Sequence, residues 1–487
     1  MKAKELIKTL RIPGKFAAFD DFRVRGISCN SKEVSENFIF VAIKGTRDNG
    51  AKFIKEAADK GARFAVVPLP VNRLELPPGL PFIAVKNTRR ALAQLSAEFY
   101  GHPCSKIRVV GVTGTNGKTT ITYLIEALLK EAGNSPAVIG TINYRFKNKI
   151  IPAKNTTPGP VQLQALLFEM AKEGVDFAVI EVSSHALDQE RTGGIDFHSA
   201  IFTNLTQDHL DYHKNLENYF QAKAKLFRGL DSGSFAVLNY DDKYGRRMQG
   251  FTRAGIISYA IEGKADLVAE EIKFDCRGTR FILSLPEEKI QIYTHLIGRH
   301  NVYNILAAAA WAYKSGIKPQ VIKSALCAFS SLPGRLERID GKNDFLVFVD
   351  YAHTEDALKN IITALRPLCK KKIILVFGCG GERDKNKRPK MGRIATQLAD
   401  YAIITDDNPR SEEPRKILED IERGIKGKNY RLIPGRREAI RKSLALAREG
   451  DIVLIAGKGH EDYQILKERV LHFNDRQVVR ECLREMN

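Results

Sequence analysis

The sequence predicts an α/β protein of three domains: a small α/β unit, a central parallel-sheet domain with a phosphate-binding loop, and a C-terminal Rossmann-like α/β unit. Three observations carry that expectation. At 487 residues the chain is too long for one hydrophobic core, and ordinary domain sizes suggest about three. Apolar runs of strand length alternate with helical patterns, the rhythm of βαβ units. One such run, Val109-Val110-Gly111-Val112-Thr113, passes directly into a Gly-rich turn and then a helix. The expected limits are 1–104, 105–334 and 335–487.

In the first unit, Phe38 to Ile43, Phe64 to Val67 and Phe82 to Val85 read as short strands, and Leu69 to Pro81 as a Pro-rich loop. A helical pattern from Thr88 to Tyr100, with Leu92, Leu95 and Phe99 on one face, closes the unit. No catalytic cluster stands out here, so a binding role is the most it implies.

The second unit opens on the Gly-rich turn. Counted from Gly111, the run to Lys118 reads G-V-T-G-T-N-G-K and meets the G-x-x-x-x-G-K spacing; counted from Gly114 it is too short. A turn of this kind aims backbone N–H groups and the positive end of a helix dipole at one place. Gly114, Thr115, Asn116, Gly117, Lys118, Thr119 and Thr120 are therefore read as an ATP site, with Lys118 on the outer phosphates and the Thr119 hydroxyl on Mg²⁺. Further on, Phe177 to Val182 and Ala200 to Leu205 are near-continuous apolar runs, as buried parallel strands require. Both are followed by polar clusters: Glu181-Val182-Ser183-Ser184-His185, and Thr206-Gln207-Asp208-His209 on to His213. Two such clusters at neighbouring strand ends, beside an ATP loop, suggest a second divalent-metal site. Between Asp266 and Leu296 the alternation changes to that of an antiparallel insert, and a helix runs from Asn301 to Lys314.

Ser331-Leu332-Pro333-Gly334-Arg335 has the composition of a domain junction. Beyond it, Phe345 to Asp350, Ile373 to Phe377, Tyr401 to Thr405 and Ile452 to Ala456 read as parallel strands. Each ends in polar or Gly-rich sequence, so four loops on one sheet edge form a second ligand crevice.

Totals bound the rest. The net charge is +20, from 77 Lys and Arg against 57 Asp and Glu. Nucleic acid, an anionic small substrate or a general basic bias would each account for it. The excess is dispersed, and no RNA-binding module or helicase motif appears, so nucleic acid is not expected. Seven scattered cysteines without CxxC pairs point to free thiols in a reducing cytoplasm. No apolar run approaches a membrane span, and the N-terminus lacks the apolar core of a signal peptide.

Together with Thr113 to Thr120, Glu181 to His185 and Asp208 to His213, the segments Leu332 to Glu337, Asp350 to Thr354, Gly378 to Pro389, Asp407 to Arg410 and Gly457 to Gln464 resemble the Mur ligases, in order and across all three units. The resemblance implies an ATP-dependent ligase of peptidoglycan synthesis, a cytoplasmic monomer that adds the third peptide residue to UDP-MurNAc-L-Ala-D-Glu through an acyl phosphate. It implies Lys118, Glu181, His209 and Lys223 as catalytic residues and two Mg²⁺ ions. Thr119 would serve the first, and Glu181, His209 and Lys223, the last as a carbamate, the second. Asn301, Arg335 and Asp350 would join the ATP contacts. Asn155, Thr156, Thr157, Ser183, Gln189 and Arg191 would hold the UDP-MurNAc-dipeptide, with Ser31 and Thr46-Arg47-Asp48 at its uridine diphosphate end. Arg383, Asp407, Asn408, Pro409, Arg410, Gly457 and Glu461 would hold the added amino acid. Arg410 favours meso-diaminopimelate there, with L-lysine or another diamino acid as the alternative. Two positions depart from the family: Glu355 follows Thr354 where Pro is usual, and His300 precedes Asn301 where Phe is common. Folylpolyglutamate synthetase shares the ATP domain but leaves the first unit and Asp407 to Arg410 unexplained.

Overall fold

The structure is a computed structural model that describes residues 1–11, 20–45, 48–71, 76–275, 277–330, 332–341, 343–467 and 469–486. Thr46 and Arg47 lie outside the described residues.

Three sheets follow one another along the chain. The first is parallel, in the order β1 (Gly26–Ser28), β2 (Phe38–Val41), β3 (Ala62–Pro68), β4 (Phe82–Val85). Strand β2 stops at Val41, short of the Ile43 expected, because the chain turns back there and the Ile43 carbonyl accepts from Gly50 N at 2.9 Å. Helix Thr88–Phe99 starts where Asn87 accepts from the Arg89 and Arg90 amides, and it buries Leu92 and Leu95 against Ile39, Val41, Phe64 and Val66.

The central sheet has eleven strands: β5 (Arg108–Thr113), β6 (Pro136–Ile139), β7 (Asn143–Phe146), β8 (Lys149–Pro152), β9 (Phe177–Glu181), β10 (Phe197–Phe202), β11 (Phe235–Asn239), β12 (Gly255–Ala260), β13 (Leu267–Asp275), β14 (Gly278–Ser284) and β15 (Lys289–Thr294). Their order is β15-β14-β13-β12-β11-β10-β5-β9-β6-β7-β8, with β5 between β9 and β10. The six strands β5, β6, β9, β10, β11 and β12 are parallel, and the expected antiparallel insert extends the sheet as β13–β15. At the other edge β7 and β8 form an antiparallel flap that the sequence pattern did not suggest. Helices Lys118–Glu131 and Arg299–Lys314 cover one face, and Trp311 is fully buried there, donating Nε1 to Ser199 Oγ at 2.9 Å. Helices Pro160–Lys172 and Leu216–Arg228 cover the other. Burial on both faces is why these strands read as unbroken apolar runs rather than alternation.

The third sheet runs β16 (Glu337–Arg338), β17 (Leu346–Asp350), β21 (Ile452–Ala456), β18 (Ile373–Phe377), β19 (Tyr401–Ile404), β20 (Tyr430–Leu432), parallel except for β16. The carboxyl ends of β17, β21, β18 and β19 therefore share one edge. Strands β22 (Tyr463–Leu466) and β23 (Arg469–His472) form a separate hairpin. Where the third sheet begins, Gly334 (φ 64°) packs so closely that a Cβ would lie 2.1 Å from His460 N. A Cβ on Gly459 would lie 2.7 Å from Tyr351 Cβ.

The two departures from the family pattern are accommodated locally. Thr354 caps helix Glu355–Leu365 by accepting from Ala357 N at 3.2 Å, so the first turn forms without proline, and Glu355 pairs with Arg393 at 3.1 Å. His300 sits in the first turn of its helix, where burial, with Arg335 nearby, lowers its pKa to about 4 and keeps it neutral. No described helix is long and apolar enough to cross a membrane.

Candidate active site

The Gly-rich loop joins β5 to helix Lys118–Glu131, and its shape depends on two glycines. Gly114 has φ 149° and Gly117 φ 89°. A Cβ at Gly114 would lie 1.8 Å from Thr203 Oγ1, and one at Gly117 2.3 Å from Asn304 Oδ1. The chain after β10 pins the loop: Thr115 N donates to Asn204 O (2.9 Å), Asn116 N to Asn204 Oδ1 (3.0 Å), and Thr203 Oγ1 to Asn116 O (2.6 Å). Lys118 Nζ folds back on the carbonyls of Gly114 (2.9 Å) and Thr115 (2.8 Å). Burial lowers the lysine's pKa, against the pull of Glu181 and Asp208, so an anion arriving here would strengthen the charged form.

Glu181, at the end of β9, is 1 % exposed and takes Thr119 Oγ1 at 2.9 Å, Thr141 Oγ1 at 3.0 Å and Thr141 N at 2.9 Å. A hydroxyl and a carboxylate meeting at the loop suit a hard cation such as Mg²⁺. Arg335 Nη2 also donates to Thr119 Oγ1 (3.2 Å), while Arg335 Nε is buried without a hydrogen-bond partner among the described residues. A buried unpaired guanidinium N–H beside the phosphate loop fits an anionic ligand. Asn301, in the buried first turn of its helix, gives Nδ2 to Ile297 O and takes Asn304 Nδ2 at 3.1 Å. Asp350, buried at the end of β17, accepts from Leu336 N and Ala352 N, each at 2.6 Å, and burial raises its pKa.

The residues expected at a second metal are less uniform. His209 (φ 54°) lies 3.4 Å from Asp208, and burial lowers its imidazole pKa despite that carboxylate. Asp208 is held below the ordinary carboxylate range; burial pushes it up, but His209, Lys387, His353 and Lys118 outweigh that. Lys223 is fully buried on helix Leu216–Arg228, gives Nζ to Gly114 O at 2.8 Å, and has its pKa driven well down by burial and by Lys118. Among the described residues no three His, Cys, Asp or Glu groups converge as a metal cage. An imidazole and an amine do not suit Mg²⁺; the set becomes oxygen-rich only with Lys223 as a carbamate.

The residues assigned to the dipeptide substrate form one network around the end of β9. Thr157 Oγ1 donates to Glu181 O (2.7 Å) and accepts from Ser183 N (3.1 Å). Thr156 Oγ1 lies 3.1 Å from Thr141 Oγ1, and Asn155 O accepts from Tyr144 OH at 2.6 Å. Arg191 reaches Thr157 O (3.0 Å) and Gln189 Oε1 (2.8 Å). Ser31 is buried in the first domain and donates to Glu56 (2.8 Å), while the Asp48 carbonyl accepts from Gly45 N (2.8 Å).

In the third domain the loops after β18, β19 and β21 interlock. Arg410 (φ 55°) donates Nη1 to Gly381 O at 2.7 Å, and Gly381 N donates to Asn408 O at 2.9 Å. Gly380 lies beside both arginines: its Cβ would be 2.9 Å from Arg410 Nη1 and 3.7 Å from Arg383 Cγ. Pro409 closes on the same turn, its carbonyl 1.9 Å from a Cβ built on Gly381. Gly457 (φ 117°) would place a Cβ 2.7 Å from Asp407 Oδ2, and Asn408 Nδ2 donates to Glu461 Oε2 at 2.8 Å.

Several residues here carry no sequence signal of their own. Arg388 is buried and bridges Glu412 (3.0 Å) and Asp420 (2.9 Å) under the loop after β18. Arg436 and Asp475 form a pair with fully buried side chains (2.6 Å), and Arg436 also donates to Ala456 O (3.0 Å) and Asp406 O (3.3 Å). Asp356 accepts from Asn116 Nδ2 at 2.9 Å, so the third domain touches the tip of the phosphate loop. Lys390 donates to Gln207 across the same seam. Only the spatial placement of these residues gives them away. A cavity of about 450 Å³ lined by Cys104, Arg108, Asp196 and His198 includes none of the loop residues and lies at the opposite ends of the strands.

Comparison with known proteins identifies the family. Residues 23–100 match the Mur ligase family catalytic domain, 112–312 the Mur ligase middle domain, and 334–459 the Mur ligase glutamate ligase domain. The chain is 42% identical over 491 residues to the UDP-N-acetylmuramoyl-L-alanyl-D-glutamate--2,6-diaminopimelate ligase of Clostridium tetani, covering 100% of both chains. It is 46% identical over 462 residues to the ligase of the same name from Aquifex aeolicus, covering 95% of this chain and 94% of that one. A solved structure of a ligase with that name superposes with a TM-score of 0.67 at 33% identity, covering 95% of each chain.

Proposed function

The chain belongs to the Mur ligase family, and on that premise we propose that it joins meso-diaminopimelate to UDP-N-acetylmuramoyl-L-Ala-D-Glu with hydrolysis of ATP, acting as a cytoplasmic monomer in peptidoglycan synthesis. The observation that supports the reading is the seam itself: Thr119 and Asn116 of the phosphate loop are touched by Arg335 and Asp356 from the C-terminal side, as a ligase that brings an amino acid to a bound nucleotide requires. In this division of labour 1–104 binds the uridine diphosphate end, 105–334 binds ATP, and 335–487 binds the amino acid.

The geometry supports a two-step transfer. Gln189, Arg191, Ser183 and Asn155 to Thr157 would orient the dipeptide so that its D-Glu side-chain carboxylate meets the γ-phosphorus of ATP. Lys118 and Arg335 offset the repulsion between those anions, and the loop amides hold the β-phosphate. A carboxylate oxygen–phosphorus bond forms as the bond to ADP breaks. The neutral amine of the amino acid then attacks the acyl carbon, loses a proton, and phosphate departs. Mg²⁺, held by Thr119 and, at a second site, by Glu181, His209 and Lys223 as its carbamate, would supply Lewis-acid charge on the phosphate oxygens. Arg383 would take the amino acid's α-carboxylate, Arg410 the far carboxylate in a two-pronged contact, and Glu461, Asp407 and the Gly457 backbone the distal ammonium.

Phosphate release with the UDP-dipeptide and a panel of amino acids tests the reading. Diaminopimelate should exceed lysine in kcat/KM by about two orders of magnitude or more, since lysine leaves Arg410 unpaired, and Arg410→Ala should erase most of that gap. Lysine as the better substrate of the unmutated enzyme would overturn the assignment.

A further inference from the structure

The loop after β21 contains a lysine that has no role in the reaction just described. Lys458 is 0 % exposed, although a lone buried ammonium is strongly disfavoured. Its partners explain its tolerance. Nζ lies 3.1 Å from Glu461 Oε2 and 3.2 Å from Asn408 Oδ1. Asn408 closes the triangle by donating Nδ2 to the same Oε2 at 2.8 Å, and Ile465 N fixes the Asn408 amide orientation from the other side at 3.0 Å. Two donors thus converge on one oxygen of Glu461. The other, Oε1, has among the described residues only a 3.4 Å contact from the hydroxyl of Tyr463, a residue that is 36% exposed.

We propose that Lys458 is a positioning residue of the amino-acid crevice: by engaging Glu461 Oε2 and Asn408 Oδ1, it turns Glu461 Oε1 toward the ammonium of the incoming amino acid. This rests on the proposed amino-acid ligase reading and deepens it, because it says which oxygen recognises the substrate and what aims it. Lys458 also balances charge in the crevice. The groups facing Glu461 are Asp407 from the loop after β19, Tyr351 after β17, Tyr463 of the hairpin, Arg436 of helix Arg436–Leu446 and Lys458 itself. Burial and Asp407 raise the Glu461 pKa, and Lys458 with Asn408 draws it back down. Without Lys458 the carboxyl would ionise only at higher pH, and a neutral carboxyl binds an ammonium poorly.

Lys458→Met keeps the side-chain length and removes the charge. In the full-length enzyme, the KM for diaminopimelate should rise about tenfold or more, with kcat changed less than about threefold. The KM values for ATP and the UDP-dipeptide should stay put, which also reports a folded protein. The acid limb of kcat/KM for the amino acid should move to higher pH. The double variant Lys458→Met/Glu461→Gln should bind diaminopimelate no worse than Glu461→Gln alone. An unchanged amino-acid KM and pH profile, or losses that simply multiply in the double variant, would overturn the positioning role. A general rise in all three KM values would assign Lys458 to structure alone and overturn it too. If wild-type enzyme fails to turn over diaminopimelate while releasing phosphate with another amine, it is the diaminopimelate assignment that falls instead.

Discussion

The phosphate loop and the amino-acid crevice solve opposite problems. The loop is one unbroken segment, shaped by two glycines and pinned by Thr203 and Asn204 just past the neighbouring strand. Its cation, Lys118, donates to the backbone carbonyls of Gly114 and Thr115 and, among the described residues, forms no ion pair, so its charge stays available for a ligand. The crevice is assembled from loops far apart in sequence and is held by buried ions that neutralise one another first: Arg436 with Asp475, Arg388 with Glu412 and Asp420, Lys458 with Glu461. A site for a fixed, highly charged group can leave its charge open. A site that must tell one diamino acid from another needs its charged groups aimed, and aiming uses counter-ions.

The contrast can be broken most sharply at the loop. Lys118→Ala should lower kcat/KM by about three orders of magnitude, because a cation facing developing phosphate charge acts mainly in the transition state. Its melting temperature should move by only about 2 °C, as the side chain fills no core. A variant keeping most of its turnover would show that the loop is not the ATP site. Asp475→Asn should do the reverse. It leaves Arg436 buried without its counter-charge, so chemical denaturation should show a loss of about 3 kcal/mol. The amino-acid KM should rise while the ATP KM holds; equal shifts in both would mean that the two regions are not separable. The smallest effect is expected at Glu412. Arg388 holds its pKa below the ordinary 4.5, at about 2. A depressed carboxylate stabilises the fold above its unfolded pKa, and that contribution fades as pH falls toward the folded one. Glu412→Gln should therefore flatten the acid side of the stability profile between those values; an unaltered slope would mean that the pair contributes nothing there.

The same contrast governs what the sequence reveals. Val109 to Thr120 is legible because strand, glycines, lysine and helix lie in one reading frame of local physics. The central parallel strands are legible because burial on both faces writes them as apolar runs. Strands β7 and β8 are not, since their short alternation at a sheet edge resembles a loop. Asp407 to Arg410 and Glu461 became assignable through resemblance to a family rather than through spacing. Arg436 and Asp356 look like ordinary surface charges in sequence, and Arg388 and Lys458, though inside recognisable segments, received no role there, because the partners that give these four their meaning include residues dozens or hundreds of positions away.

The join at Gly334 works as a bearing without clearance. Main chain rests on main chain there, with no side chain to act as a cushion, and the facing Gly459 leaves no more room on its own side. A side chain added at either glycine would act as a wedge, tilting the whole C-terminal body and carrying Arg335 away from Thr119, although neither glycine carries any chemistry. The thickness of the backbone at this point thus works alongside the contacts of Arg335 with Thr119 and of Asp356 with Asn116 in fixing how the two halves meet.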